Sequence, residues 1–542
     1  MNDGFISISM KIIYALFAVL FAAFNARAAT LPPAVLDALQ QAHIPLDSIG
    51  LEVREVDGMT RRAQASGAGI PSQRLLPQSA GSASNVSEAH TRKPLISINA
   101  MQPMNPASTM KLLTTYAALD ILGPAYTWKT EAYLDGALKD GVLQGNLILK
   151  GYGDPKFTIE QFWLWLGELR ARGLREIRGD LVLDRSFFEL PAHDPAAFDN
   201  DPVRAYNVGP DALLLNFNTL HLRYLPDGNT LRIISEPPLE GIKLDNQLTP
   251  QTATHPSKWD CDKWDDAIHV QPDGDSIILQ GGYSSECGER EQNLSVMPHA
   301  RYMEAVFRAL WQELGGTLRG KLREDTVSSN AQLFATHLSD PLSTVIRDIN
   351  KFSNNVMARQ LFLTLGAATS IPSPIARLPQ DRPQGGHPAM HPLQMKVLGE
   401  GSMFTNLARS TQAMRDWLQK QQLNFPELVL ENGAGLSRTE RISPHNMALL
   451  LQSAANHPLS AELQASLPIL GVDGSVKKRL KESSAASHAH LKTGTLEGVK
   501  TIAGYVRSKN GKEWIVVFFI NHPNAKHGQD AQDAMIEWVQ GQ

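Results

Sequence analysis

Three short groups of residues have the side chains that acyl transfer needs: Ser108-Thr109-Met110-Lys111, Ser353-Asn354-Asn355 and Lys492-Thr493-Gly494. A serine and a lysine three residues apart share one face of a helix, so the Lys111 amine reaches the Ser108 oxygen. Asn105-Pro106 reads as the start of that helix, asparagine as N-cap and proline at the first helical position. Ser108 then falls in the first turn, where backbone N–H groups lack intrahelical partners and the dipole favours negative charge. A hydroxyl there attacks a carbonyl while its own N–H helps to hold the resulting oxyanion. Lys111 serves as base only where part of it is neutral, and burial or a nearby cation lowers its pKa. Lys492 is the candidate for that cation, and equally for a group that binds a terminal carboxylate. Gly494 allows a ligand backbone to lie close against its strand, which makes the Thr495 N–H the second oxyanion donor to expect. Each group alone also describes ordinary structure: a capped helix, a solvated turn, a turn at a strand end. Their order, wide gaps and fitting local contexts together describe one composite site.

These residues need elements to carry them. After Asn105-Pro106, Met110, Leu113, Ala117 and Ile121 recur at helical spacing, with Leu112, Tyr116 and Leu119 on another side. A helix apolar on most faces belongs inside a domain, and Gly123-Pro124 ends it. Ile49 to Val56 and Leu95 to Ala100 read as two strands of one hairpin. The C-terminal part reads as strands His490 to Thr495, Thr501 to Arg507 and Trp514 to Asn521, with an Asn510-Gly511 turn, then a helix from Asp530 to Val539. Between lies a block of short strands and turns from Lys129 to about Gln280. It contains hairpin signals at Leu220 to Tyr224 with Leu231 to Ile234, and at Ile268 to Val270 with Ile277 to Leu279. Helical patterning follows at Arg301 to Leu314, around Ser343 to Leu365, and at Leu407 to Gln419 and Pro444 to Ala455. The expected fold class is therefore α/β (α+β), one domain interrupted by β-rich insertions. The expected parts are a leader (1–28), a first half (29–128), the insertion (129–330) and a second half (331–542). Two low-complexity stretches, 58–92 and 367–395, have too few large apolar groups to offset their ordering entropy and read as flexible insertions.

At 542 residues the chain is too long for a single ordinary core. With 51 basic and 55 acidic residues the formal charge is −4, so no basic excess points to nucleic acid. Lys11, the apolar run Ile12 to Phe24 and Ala26-Arg27-Ala28 form a secretory signal with cleavage near Ala28; a retained anchor is the alternative. The residues before Met10 carry no positive charge, which leaves Met1 and Met10 as alternative starts. No later segment has the length of a spanning helix, so no transmembrane anchor is expected in the mature chain. Cys261 and Cys287 lie in one stretch, where export favours a local disulfide over two free thiols. Nothing in the spacing of the 16 histidines suggests a metal site.

With these motifs the chain resembles penicillin-binding proteins having D-Ala-D-Ala carboxypeptidase and endopeptidase activity, in which a large insertion follows the nucleophile helix. The resemblance includes Pro106 to Leu112, Gly153-Asp154-Pro155, Tyr206 to Asp211, Glu431 to Arg438 and Gly471 to Ser475. Departures are the two low-complexity insertions and Glu431-Asn432-Gly433-Ala434-Gly435, where Asp-Gly-Ser-Gly-like residues are expected. The resemblance implies a serine β-lactamase/transpeptidase-like domain in the periplasm that cleaves peptidoglycan peptides and is inhibited covalently by β-lactams. It implies Ser108 as acyl-ester nucleophile, Lys111 as proton acceptor, and Ser353 as relay to the leaving D-Ala amine. It further implies Asn355 as holder of the substrate amide and Lys492 with Thr493 as the carboxylate site. Neither metal nor organic cofactor is required.

A β-lactamase or esterase with the same triple is the nearest alternative, and a non-catalytic peptidoglycan-binding protein the more distant one. Asp154 ends the strand Leu147 to Lys150, where an overhanging loop would let its carboxylate pair with a free amine on the substrate. Alternatively it only shapes a turn before Pro155.

Overall fold

The computed structural model describes residues 31–57, 93–228, 230–251, 260–368 and 405–542. The expected leader and the 58–92 insertion lie outside the described residues. So does all of the 367–395 stretch except Ala367 and Ala368, which close the helix Asn355–Ala368.

A five-stranded antiparallel sheet joins the two ends of the chain in the order Ala489–Leu496, Val499–Arg507, Glu513–Asn521, Ile49–Glu55, Ile96–Ile98. Its middle strand is apolar at successive positions because both faces are covered. Side chains alternate across a strand. Val516, Phe518 and Ile520 accordingly meet Val35 and Leu39 of the helix Pro33–Gln41 and Met535 and Ile536 of Gln529–Gln540. Ile515, Val517 and Phe519 meet the opposite helical layer, packed with Leu112, Met357 and Met447. Truncating Phe518 to alanine would cost about 3–5 kcal/mol by the usual rule for buried phenylalanines.

The interposed block contains a seven-stranded sheet around the long hairpin Lys129–Lys139 and Val142–Gly151. Asp140 and Gly141 make its turn with φ of 50° and 82°, the conformation that matches strand twist in two-residue hairpins. The helices Ile159–Ala171 and His299–Glu313 cover it, through Phe162, Trp165, Phe307 and Trp311. The first of these was not expected. Its signal is the Thr158/Gln161 capping box rather than a one-sided apolar pattern. The strand Gln332–Leu338 returns to pair with Lys129–Lys139, so this sheet closes beyond residue 330. Both expected hairpins form, in two further three-stranded sheets that share a core of Leu222, Tyr224, Leu279 and Tyr283. A Cys261–Cys287 disulfide ties this lobe. Among the described residues no helix is long and apolar enough to cross a membrane.

Candidate active site

The turn that carries Ser108 departs from the expected helix start. Ala107 has φ of +44°, so residues Ala107–Met110 form a 3-10 turn and the α-helix proper begins at Lys111. Asn105 does not cap that helix. Its Oδ1 accepts the Ala107 N–H at 2.9 Å, and its Nδ2 donates to the Ser437 carbonyl at 2.9 Å. The sheet pins the turn from the other side, because Thr501 donates its hydroxyl to the Pro106 carbonyl at 2.7 Å. Tertiary contacts thus override the local capping preference. Ser108 is left half-buried while Lys111 is wholly buried. The Lys111 Nζ lies 2.9 Å from Ser108 Oγ, 2.7 Å from Asn355 Oδ1 and 2.5 Å from the Ala434 carbonyl.

Ser353 interrupts what the apolar spacing reads as one helix. It adopts φ 58°, ψ 34°, left-handed, between the helices Leu342–Phe352 and Asn355–Ala368. Asn354 then caps the second helix, accepting the Met357 N–H at 3.0 Å, and Asn355 faces Lys111. A continuous helix would rotate these three residues about 100° apiece around its axis. The left-handed residue instead lets Ser353 and Asn355 serve one site. Asn355 spans it fully, with Oδ1 on Lys111 and Nδ2 donating to the Tyr206 carbonyl at 3.3 Å.

Lys492 is buried on the edge strand Ala489–Leu496, and its Nζ donates to Ser353 Oγ and to the Thr493 carbonyl, each at 2.8 Å. The Thr493 hydroxyl meets that of Ser475 at 2.6 Å. A side chain at Gly494 would come within 2.8 Å of the Ser108 backbone nitrogen and 2.3 Å of Thr501 Oγ1, so only glycine lets the strand and the Ser108 turn touch. Thr495 follows, exposed to solvent. Burial, reinforced by the Lys492 charge, holds the Lys111 amine well below the ordinary lysine range. Burial alone brings Lys492 down to about 7.

Asp154 is a correction. It does not overhang the groove but is 3% exposed, and its Oδ1 accepts the Lys156 N–H at 2.8 Å within its own turn. Burial pushes its carboxyl up to about 7. Asp154 is also not among the residues that line the large cleft of about 1430 Å³ beside the site. That cleft is lined by Phe198, Asn207, Arg359, Asn432 and Arg438, but not by Ser108 or Lys111. Sequence reasoning missed three participants: the Ala434 and Tyr206 carbonyls and the Ser475 hydroxyl. Backbone carbonyls have no residue-type signature. The segments that hold them were visible only through the family resemblance.

Residues 72–377 and 395–542 match the D-Ala-D-Ala carboxypeptidase 3 (S13) family. The D-alanyl-D-alanine carboxypeptidase DacB of Haemophilus influenzae is 27% identical over 422 residues, 77% of this chain and 80% of that protein. A D-alanyl-D-alanine carboxypeptidase of an Actinomadura species is 26% identical over 450 residues, 79% of this chain and 75% of its own. The fold is that of penicillin binding protein 4 from Haemophilus influenzae, with a TM-score of 0.67 at 23% identity over 93% of this chain and 99% of that one. A second structure of that protein, complexed with a β-lactam, gives a TM-score of 0.65 at 23% identity over 94% and 100% of the two chains. The interrupted α/β fold is thus shared with D-Ala-D-Ala carboxypeptidases, which are hydrolases, and the chain belongs to the D-Ala-D-Ala carboxypeptidase 3 (S13) family.

Proposed function

We propose that this carboxypeptidase cleaves peptidoglycan stem peptides, and the cross-bridges between them, through an acyl-enzyme on Ser108 in the periplasm. The observation that carries the reading is the environment of Lys111. A neutral amine has two N–H bonds and one lone pair. Asn355 Oδ1 and the Ala434 carbonyl are pure acceptors that take both N–H groups. The lone pair is left for the Ser108 O–H at 2.9 Å.

In the proposed reaction Lys111 takes the Ser108 proton as Oγ bonds to the carbonyl carbon of the penultimate D-Ala. The Ser108 and Thr495 N–H groups hold the oxyanion. Collapse breaks the C–N bond, and the leaving amine receives its proton through Ser353. Water then attacks the ester by the same route in reverse and frees Ser108. Lys492 and Thr493, with Ser475 beside them, take the terminal carboxylate. Asn355 offers its NH₂ group to the substrate amide in place of the Tyr206 carbonyl. Cross-bridge cleavage is the same chemistry with a different leaving amine. A β-lactam acylates Ser108 likewise, a reading supported by the β-lactam complex of the fold relative. The charge balance and the apolar run near the N-terminus support export rather than nucleic-acid binding.

Fluorescent penicillin followed by peptide mapping tests this. Label is expected on Ser108 alone, with Ser108→Ala losing both label and D-Ala release while staying folded. Label on another serine would overturn the assignment, and rapid penicillin turnover without D-Ala release would make the protein a β-lactamase.

A further inference from the structure

Glu440 is wholly buried, and no step above uses it. Its Oε1 accepts three successive backbone N–H groups, from Glu431 at 3.0 Å, Asn432 at 2.9 Å and Gly433 at 3.0 Å. Converging backbone donors of this kind make a nest for an anion. Ser437 fixes the other end of the turn, its Oγ accepting the Thr439 and Glu440 N–H groups at 2.9 Å each. The residue that follows the three donors is Ala434, whose carbonyl receives Lys111.

The same loop grips the nucleophile helix at two more points. The Gly433 carbonyl accepts the Thr114 hydroxyl at 2.7 Å. Gly435, at φ +78°, lies so close to the turn that a Cβ there would fall 1.9 Å from the Ala107 carbonyl oxygen. Without the Ala434 carbonyl an N–H of Lys111 would be free to turn toward Ser108, the wrong polarity for taking a proton. We infer that Glu440 is a positioning residue, which clasps the 431–433 backbone so that the Ala434 carbonyl aims the Lys111 lone pair at Ser108. This rests on the reading of Lys111 as proton acceptor.

Glu440 has a second, separable effect. Its charge opposes the burial and the Lys492 charge that lower the Lys111 pKa, and Arg359 on the helix Asn355–Ala368 acts with Lys492. Burial pushes the Glu440 carboxyl itself upward, against the pull of the three donors, and neighbouring Glu431 adds to the rise. Glu440→Gln keeps the accepting oxygen and removes the charge; Glu440→Ala removes both.

The experiment is the rate of fluorescent-penicillin acylation from pH 5 to 9 for the wild type and both variants, with circular dichroism and melting to establish folding. Glu440→Ala should acylate about 100-fold more slowly, the scale of a misaligned reactive pair, yet still label Ser108 to one equivalent with unchanged penicillin affinity. Glu440→Gln should stay within about fivefold of wild type at its plateau, with its acid limb at lower pH because Lys111 loses a counter-charge. Wild-type rates in Glu440→Ala, or equal losses in the two variants, would overturn the positioning role. Should Glu440→Ala not fold, Glu440→Asp replaces it, keeping the charge but withdrawing the oxygen from the three N–H groups: a loss on the same scale supports the inference, and wild-type rates refute it. Failure of the wild type to label Ser108 would instead sink the functional reading on which this depends.

Discussion

The proposed reaction needs the two buried lysines of the site in opposite states, and this sets the pH behaviour expected of it. In that reaction Lys111 is neutral to accept a proton, and Lys492 is charged to hold a carboxylate. In the free enzyme Lys492 sits at about 7. Activity that depends on its charge is therefore complete well below that pH and lost as pH rises through it. The alkaline limb of kcat/KM for a D-Ala-D-Ala acid should thus lie near pH 7. The limb of kcat should lie higher, since a bound carboxylate raises the ammonium pKa. Lys492→Ala should impair the acid about 10- to 100-fold more than its C-terminal amide, the range for one charge-assisted hydrogen bond. Steady-state kinetics on the two substrates decide it. Equal losses would assign Lys492 to general electrostatics on Lys111 instead.

At the scale of elements, the site is made where regular structure stops. The 3-10 turn at Ala107–Met110, the left-handed Ser353 and the loop Glu431–Gly435 are all breaks, each pinned by neighbours. Asp154 occupies another break, and its cost is electrostatic. Its carboxyl, raised to about 7 from an ordinary 3.8, keeps a proton in the folded state that the unfolded chain has released. Stability is accordingly undiminished below pH 4 and falls as pH rises from about 4 to 7. The loss is up to about 4 kcal/mol when fully expressed. Asp154→Asn retains an acceptor for the Lys156 N–H and removes the charge. It should raise the melting temperature at pH 8 but hardly at pH 4.5. A gain that is the same at both would show that ionisation of Asp154 is not the cause.

The molecule as a whole is a sheet formed by both ends of the chain, interrupted by lobes that carry none of the proposed catalytic side chains. One tie between the parts is the segment Tyr206 to Asp211. Asn355 holds its Tyr206 carbonyl at 3.3 Å, Arg359 the Val208 carbonyl at 2.8 Å, and Gln360 the Asp211 carbonyl at 2.7 Å. A loop of this length closed by Cys261–Cys287 is worth about 3 kcal/mol in the chain-entropy account. Replacing both cysteines by serine should lower the melting of the lobe that holds them while the rate of penicillin acylation stays within twofold. A proportional loss of acylation would mean that the lobe shapes the catalytic groups directly.

The three motifs, the unbroken apolar run of the middle strand, the two hairpins and the disulfide were legible in the sequence by itself. Each depends on residue types at short range or on a pairing within one stretch. The left-handed Ser353 was not legible, since the apolar spacing runs through it unbroken from Leu342 to Leu365. Nor was the burial of Asp154, because an acidic residue in a turn reads as exposed until a domain closes over it. The Ala434 carbonyl and its clasp at Glu440 belong to tertiary structure alone. A backbone carbonyl is present at every residue, and only the folded chain decides which one meets an amine brought from 323 positions away.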